Sequence, residues 1–488
     1  MGIEWGNALG DRAHGDTSAL PVAGRNGGEP GIRTPVATHP VHDQVPATLP
    51  PATADGAEPT PDTRVSGWRA SGDASGVRRF LDRAGRAMAD QVLSSGAQLL
   101  LLVLVARQAG AATFGALSVA LVAHGFLLGM VRAGIGEVVL LRCRAGRAST
   151  RRDARVGLFL AGLAGMAAGL GLLGAAAVVG GEVGHFLMLV AAAAPLVYVQ
   201  DLLRYVAYGV GNLNRAILVD GVWLGAQIVV SALLLAAGEA TPTRFVLAWM
   251  VGAGLGALAG TLGQRLWPRP VAVGHWWAEE RARAGGFVTD FLVSNGMWQG
   301  GLLVLTVLLP LEEFAALRVA FVSLQPLANL MAGVRTLLLA HLAGLRTRPA
   351  RARRRAIQLA FGLAGTGAGY GIGLVLLPDR WGSELFGDLW AEAVTLVGVV
   401  AIGLVFRMMT FAAIDLVKVL GAPRDLVRTR LTGGVGVVAG LLVGTVVAGA
   451  LGAAVGATVG YALNSVVWWR RGWSLGHSSA ARMPTARI

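Results

Sequence analysis

The 488-residue chain is 54% hydrophobic and only 14% charged, against about 25% charge in average soluble domains, which excludes a soluble fold for most of its length. Its formal net charge of +14 is almost all arginine, Lys418 being the only lysine. These cations fall in short segments between apolar runs, so they speak for membrane orientation rather than nucleic acid, and the single cysteine, Cys143, excludes an intramolecular disulfide or a cysteine-based zinc site.

Residues 1–77 hold about half of the 19 prolines, mixed with Gly, Thr, Asp and Ala and without an apolar run, which is the composition of a disordered tail. No signal-peptide apolar region precedes the first long apolar stretch, so that stretch must direct insertion itself. Twelve apolar runs then follow near 88–106, 114–136, 156–179, 185–201, 215–237, 244–264, 286–309, 314–340, 356–377, 391–413, 431–449 and 451–469. Each suffices to cross about 30 Å of hydrocarbon as a helix. The expected fold is an all-α integral membrane protein of two six-helix halves, 78–270 and 271–470, with a basic tail at 471–488.

Arginine placement sets the orientation. The odd-numbered connections carry only Arg107, Arg244 and Arg380. The even-numbered ones are loaded: Arg142, Arg144, Arg147, Arg151, Arg152 and Arg155 in the second, Arg265, Arg269, Arg281 and Arg283 in the sixth. The eighth holds Arg346, Arg348, Arg351, Arg353, Arg354 and Arg355, and the tenth Arg424, Arg428 and Arg430. Positive residues stay on the cytoplasmic side, so both termini are expected there, in a bacterial plasma (inner) membrane.

Sliding the chain against itself by 200 residues reveals a repeat, with Asp90/Asp290, Ser94/Ser294, Gly96/Gly296, Phe114/Phe314, Leu117/Leu317 and Ala120/Ala320 in register. Six spans separate the copies, so both enter the membrane in the same direction. Parallel repeats of this kind place a substrate pathway between two lobes.

Ala106-Arg107-Gln108-Ala109-Gly110 followed by Phe114-Gly115 resembles the A-R-x-x-G…F-G signature of polysaccharide flippases, in the multidrug/oligosaccharidyl-lipid/polysaccharide exporter superfamily. Gln200 through Tyr205, Asp220 with Trp223, and Ala320 through Pro326 are similar to the same family, over roughly residues 80–470. Pro310-Leu-Glu-Glu-Phe314-Ala315 departs from the pattern by lacking the glycine after Phe. The resemblance implies a MATE-like, V-shaped exporter that turns lipid-linked saccharides to the outer leaflet for surface polysaccharide synthesis.

An ionisable group in a membrane helix costs about 2.5–3.5 kcal/mol or more at mid-bilayer, so each one is paired, interfacial or functional. Asp90 and Asp290, near the starts of spans one and seven, are expected either to favour their helix N-termini or to gate and couple an H+ or Na+ gradient. Arg318, Arg132 and Arg335 are the candidate cavity cations, because a diphosphate headgroup needs guanidinium partners, with ordinary positive-inside anchoring open for the last two. Arg204 and Asp220 are expected to pair with each other, as are Asp415 and Lys418. Pro195 and Pro326 are expected to kink spans four and eight. His124 and His341 read as incidental.

There is no GxxxxGK(S/T) phosphate loop, HExxH or GxSxG motif, so no enzyme, metal or cofactor is expected. The expected partners are the bilayer, a lipid-linked glycan, and glycan polymerases or glycosyltransferases. Three alternatives stay open: an ion-coupled cation or drug antiporter of the same superfamily, a membrane glycan polymerase or ligase, and an inactive scaffold of a glycan-export complex. A polymerase would want a long outer loop, and the longest here, 378–390, is short.

Overall fold

The computed structural model describes residues 74–145, 150–345, 347–421 and 423–480; the side chains of 74–84, 87–88, 332–337, 340–341, 423 and 476–480 lie outside that description. Most of the 1–77 tail, residues 481–488 and the side chains of Arg335 and His341 therefore lie outside the described residues. Among the described residues every regular element is helical. In chain order these are α1 (Ala74–Gln108), α2 (Ala111–Val131), a π-helical turn (Arg132–Gly136), α3 (Glu137–Arg144), α4 (Thr150–Val179), α5 (Gly181–Gly209), α6 (Leu213–Ala236) and α7 (Pro242–Gln264). The second half runs through α8 (Val273–Phe291), a second π-helical turn (Leu292–Gly296), α9 (Met297–Leu308), α10 (Leu311–Ser323), α11 (Gln325–Ala343), α12 (Pro349–Val375), α13 (Asp379–Phe386), α14 (Leu389–Leu420) and α15 (Pro423–Ala480).

Ten stretches are long and apolar enough to cross a membrane, and one of them, 424–475, is 52 residues long. At about 1.5 Å per residue that is more than twice a bilayer. It folds back at Ala448 and Gly449, where Gly449 has φ +57°. Ala450 N–H, just past this reversal, donates to Glu313 Oε2 of α10 at 3.0 Å. Counting the two limbs separately and adding α12, which turns by 91° into α13, gives the twelve crossings. The chain is a multi-pass membrane protein.

Local chemistry explains where helices stop. Thr241 caps α7 by accepting the Arg244 N–H at 3.4 Å, with Pro242 in the first turn. Proline at the break in span eight gives more than a kink. The helix is interrupted at Leu324, and Pro326 lies in the first turn of α11, where its missing N–H is tolerated. Pro195, by contrast, lies inside the continuous α5.

Along α4, Leu163, Met166, Leu170 and Leu173 form an exposed apolar stripe at helical spacing, while Ala161, Gly165, Gly169, Leu172 and Ala176 are buried. The exposed stripe meets lipid and the small residues admit α5. A Cβ at Gly165 would stand 2.7 Å from Pro195 Cα, and one at Gly169 2.8 Å from the Ala191 carbonyl oxygen. Gly169→Val should therefore cost about 1–3 kcal/mol through overpacking. Gly174→Val, on the exposed face with nothing within 4 Å, should leave the thermal midpoint in detergent unchanged. Equal midpoints for the two variants would show that α4 and α5 do not pack this closely.

The repeat is visible in the backbone. Gly110 and Pro310 cap α2 and α10 from extended conformations, the two helices begin at Ala111 and Leu311, and Phe114 and Phe314 are both fully buried. The halves meet along α2. Gly115 lies against the Leu311 carbonyl near one end, and Gly129 against the Phe291 ring near the other. Ser95 Oγ of α1 also accepts a 2.7 Å hydrogen bond from Asn329 Nδ2 of α11. This conformation is closed along α2.

Candidate functional site: a buried arginine and a separate arginine–carboxylate cluster

The first half holds a buried cluster of charged residues drawn from four elements. Arg132, in the π-helical turn, donates to both Asp201 oxygens, from Nε at 2.8 Å and Nη2 at 2.7 Å. Arg204, one turn further along α5, reaches Asp220 Oδ2 at 2.9 Å, Asp201 Oδ1 at 3.2 Å and Asp90 Oδ2 at 3.3 Å. Tyr208 accepts from Arg204 Nη2 at 3.0 Å and donates to Asp90, and Gln200 Nε2 donates to Asp220 Oδ1 at 2.7 Å. Arg204, Asp90, Asp201 and Asp220 are all buried. The cluster ties α1, the π-helical turn, α5 and α6 into one body.

This placement brings together four of the residues singled out from sequence: Arg132, Asp90, Arg204 and Asp220. Arg132 forms a bidentate pair with Asp201, and its side chain is 41% exposed. Asp201 and Tyr208 were not recognised as partners, because Asp201 lies 69 residues from Arg132 and Tyr208 lies 118 from Asp90. Only packing brings these together.

Asp290, the repeat counterpart of Asp90, bonds Arg430 of α15 at 2.6 Å and is 38% exposed. The two equivalent carboxylates are thus both tied to arginines of their own half, one in the interior and one near the surface. Asp90→Asn should cost about 1–3 kcal/mol of stability, and Asp290→Asn about 0–1 kcal/mol, measured as shifts in thermal midpoint. The reverse order would contradict the assignment of the cluster as the structural anchor.

Arg142 shows that some positively charged connection residues have specific partners. It joins α3 to α4 through Asp153 at 3.1 Å, and to α8 through Glu279 at 2.9 Å and Glu280 at 2.5 Å. Lys418 Nζ lies 4.0 Å from Asp415.

Arg318 is different. It lies in α10, is 6% exposed, and has no hydrogen-bond or ion-pair partner among the described residues; its Nε is buried and unsatisfied. At about 1.5 Å per residue, it lies about 10 Å along α10 from Leu311, well inside the apolar layer. Its repeat counterpart is Ser118, also buried with an unsatisfied hydroxyl. Both residues sit on helices of the α2–α10 contact, where Gly115 lies against the Leu311 carbonyl. The halves therefore differ there by one full charge. His124, between Tyr198 and Trp249, has both ring nitrogens unsatisfied. No group of three or more potential metal ligands occurs among the described residues.

No family model and no curated relative matches the sequence. Solved structures do match in fold. An inward-facing multidrug resistance MATE family transporter of the MOP superfamily superposes with a TM-score of 0.63 at 12% identity, over 81% of this chain and 96% of its own. The lipid II flippase MurJ in an inward closed conformation gives 0.60 at 11% identity, over 82% and 91%. A MOP superfamily transporter from Pyrococcus furiosus, described as having a binding pocket of reverse polarity, gives 0.58 at 12% identity, over 82% and 96%. The chain is a multi-pass, all-helical membrane protein built on the fold that these multidrug and lipid transporters share.

Proposed function

We propose that this protein flips a polyprenyl-diphosphate-linked saccharide from the inner to the outer leaflet of a bacterial plasma membrane, both termini lying in the cytoplasm. The observation that carries this reading is Arg318, a buried cation in an apolar helix with no counter-ion among the described residues. Such a group is costly and is retained where a ligand supplies the missing negative charge. A diphosphate is that ligand: it is the part of a lipid-linked saccharide least able to cross hydrocarbon, and guanidinium binds it in bidentate fashion.

The closed seam along α2 is one stage of an alternating-access cycle in which the halves rock about the α2–α10 contact. The three carboxylates of the first-half cluster, Asp90, Asp201 and Asp220, share Arg132 and Arg204, each accepting from at least one of them. Asp90 and Asp290, released from Arg204 and Arg430, are the groups through which an H+ or Na+ gradient would be coupled.

The test sets two substrates side by side in proteoliposomes. Exposure of a fluorescent polyprenyl-diphosphate saccharide across the membrane, with no uptake of a cationic dye, is the expected result. Dye uptake driven by a proton or sodium gradient, without saccharide exposure, would replace flipping by cation antiport.

A further inference from the structure

Apart from Arg318 in the second half and the carboxylate cluster in the first, the first half contains a further cationic feature. A cavity of about 420 Å³ opens among the ends of α4, α5, α6 and α7, on the arginine-rich face. Arg151 of α4, Arg215 of α6 and Arg265 at the end of α7 line it, over an apolar floor that includes Ala154 and Leu266. The three arginines come from three different connections, and each is exposed. No carboxylate lines the cavity, and none of the three has an ion-pair partner among the described residues. Arg142 and Arg283, on the same face, are by contrast held by Glu279 and Glu280.

A further observation points to a ligand. Gln264 lines the cavity and is 5% exposed; its Nε2 donates to the Leu203 carbonyl at 3.2 Å, which leaves Oε1 buried with no partner. That oxygen can accept from a hydroxyl. Arg265, with φ +52° and ψ +43°, ends α7 as its left-handed C-cap, and the Leu266 N–H donates to the Thr261 carbonyl at 3.0 Å, which fixes the backbone of Arg265 at the cavity. Helix dipoles do not decide the sign. The N-termini of α4 and α6 and the C-termini of α5 and α7 meet here, contributing about half a charge each with opposing signs, so the three whole guanidinium charges dominate.

We infer that this cavity binds a phosphate anion, carried either by the headgroup of an anionic phospholipid or by a free phosphate. A phosphate accepts from several guanidiniums at once. A glycerol hydroxyl on the same headgroup reaches Gln264 Oε1, and the apolar floor suits the base of an acyl chain. The site is separate from Arg318, so it stands or falls independently of the flipping reaction.

The experiment uses the full chain and asks which lipid it retains after purification from mixed phosphatidylglycerol and phosphatidylcholine, by native mass spectrometry. The variant is R151Q/R215Q/R265Q; the control, R351Q/R354Q/R428Q, removes three exposed arginines elsewhere on the same face. Retention of phosphatidylglycerol should fall by about tenfold in the first and stay unchanged in the second. R151K/R215K/R265K keeps the charge, so its retention of the lipid separates loss of the site from loss of the fold. If phosphatidylglycerol is not preferred but inorganic phosphate broadens its ³¹P signal with the wild type and not with the triple glutamine variant, the ligand is free phosphate. Neither signal, or equal loss in variant and control, would overturn the inference and leave general surface attraction.

Discussion

Arg318→Ala is expected to slow saccharide exposure by about 10- to 100-fold while leaving the protein at least as stable as the wild type. The two halves of that expectation share one cause. A charge-assisted contact is worth about 1.5–3 kcal/mol, and each 1.4 kcal/mol is about a factor of ten. With no partner among the described residues, the guanidinium also imposes a desolvation cost of about 2.5–3.5 kcal/mol that truncation removes. Arg318→Lys retains the charge but not the planar fork and should fall between the two. The checks are initial exposure rate and thermal midpoint on the same preparations. Loss of rate accompanied by a lower midpoint would mean that Arg318 supports the fold instead, through a contact that this conformation does not contain.

Arg204→Met is expected to behave in the opposite way, destabilising strongly whatever it does to transport. Arg204 contacts Asp90, Asp201 and Asp220, all buried, and after its removal only Arg132 remains, on Asp201. Breaking a buried ion pair by removing one partner costs about 3–5 kcal/mol, because a charge is left without compensation. Neutralising the orphans should recover much of this, so Arg204→Met with Asp90→Asn and Asp220→Asn should melt above the single variant. Thermal unfolding of the wild type, the single and the triple variant decides it. A triple variant no more stable than the single one would show that packing, not charge balance, is what Arg204 provides.

Hydropathy made the apolar crossings legible, because bilayer thickness and backbone hydrogen bonding leave a membrane chain few options. The offset of 200 is kept to the residue at the starts of α2 and α10. The two π-helical turns were not legible: one lies in the second crossing of the first half and the other in the first crossing of the second half, so they do not follow the repeat. Pro326 marked a disturbance, but a full break at Leu324 depends on backbone bonding around it.

Ionisable residues were easy to find and harder to sort. Arg132 and Arg318 look alike as single arginines in apolar stretches. What separates them is Asp201, which packing delivers to one and not to the other. Asp201 itself lay in the Gln200 to Tyr205 segment that carries the resemblance, where it read as part of a motif rather than as a counter-ion. Its role required the three-dimensional arrangement of α5 against the π-helical turn.

The most direct test of the flipping reaction is a time course in proteoliposomes carrying a fluorescent undecaprenyl-diphosphate saccharide on the inner leaflet only, read with a membrane-impermeant quencher. Flipping predicts quenching of the inner pool by wild-type vesicles at a rate well above that of protein-free vesicles, and a return to near the protein-free rate with Arg318→Ala. Identical rates in wild-type and protein-free vesicles, over a range of saccharides and with either ion gradient imposed, would contradict it.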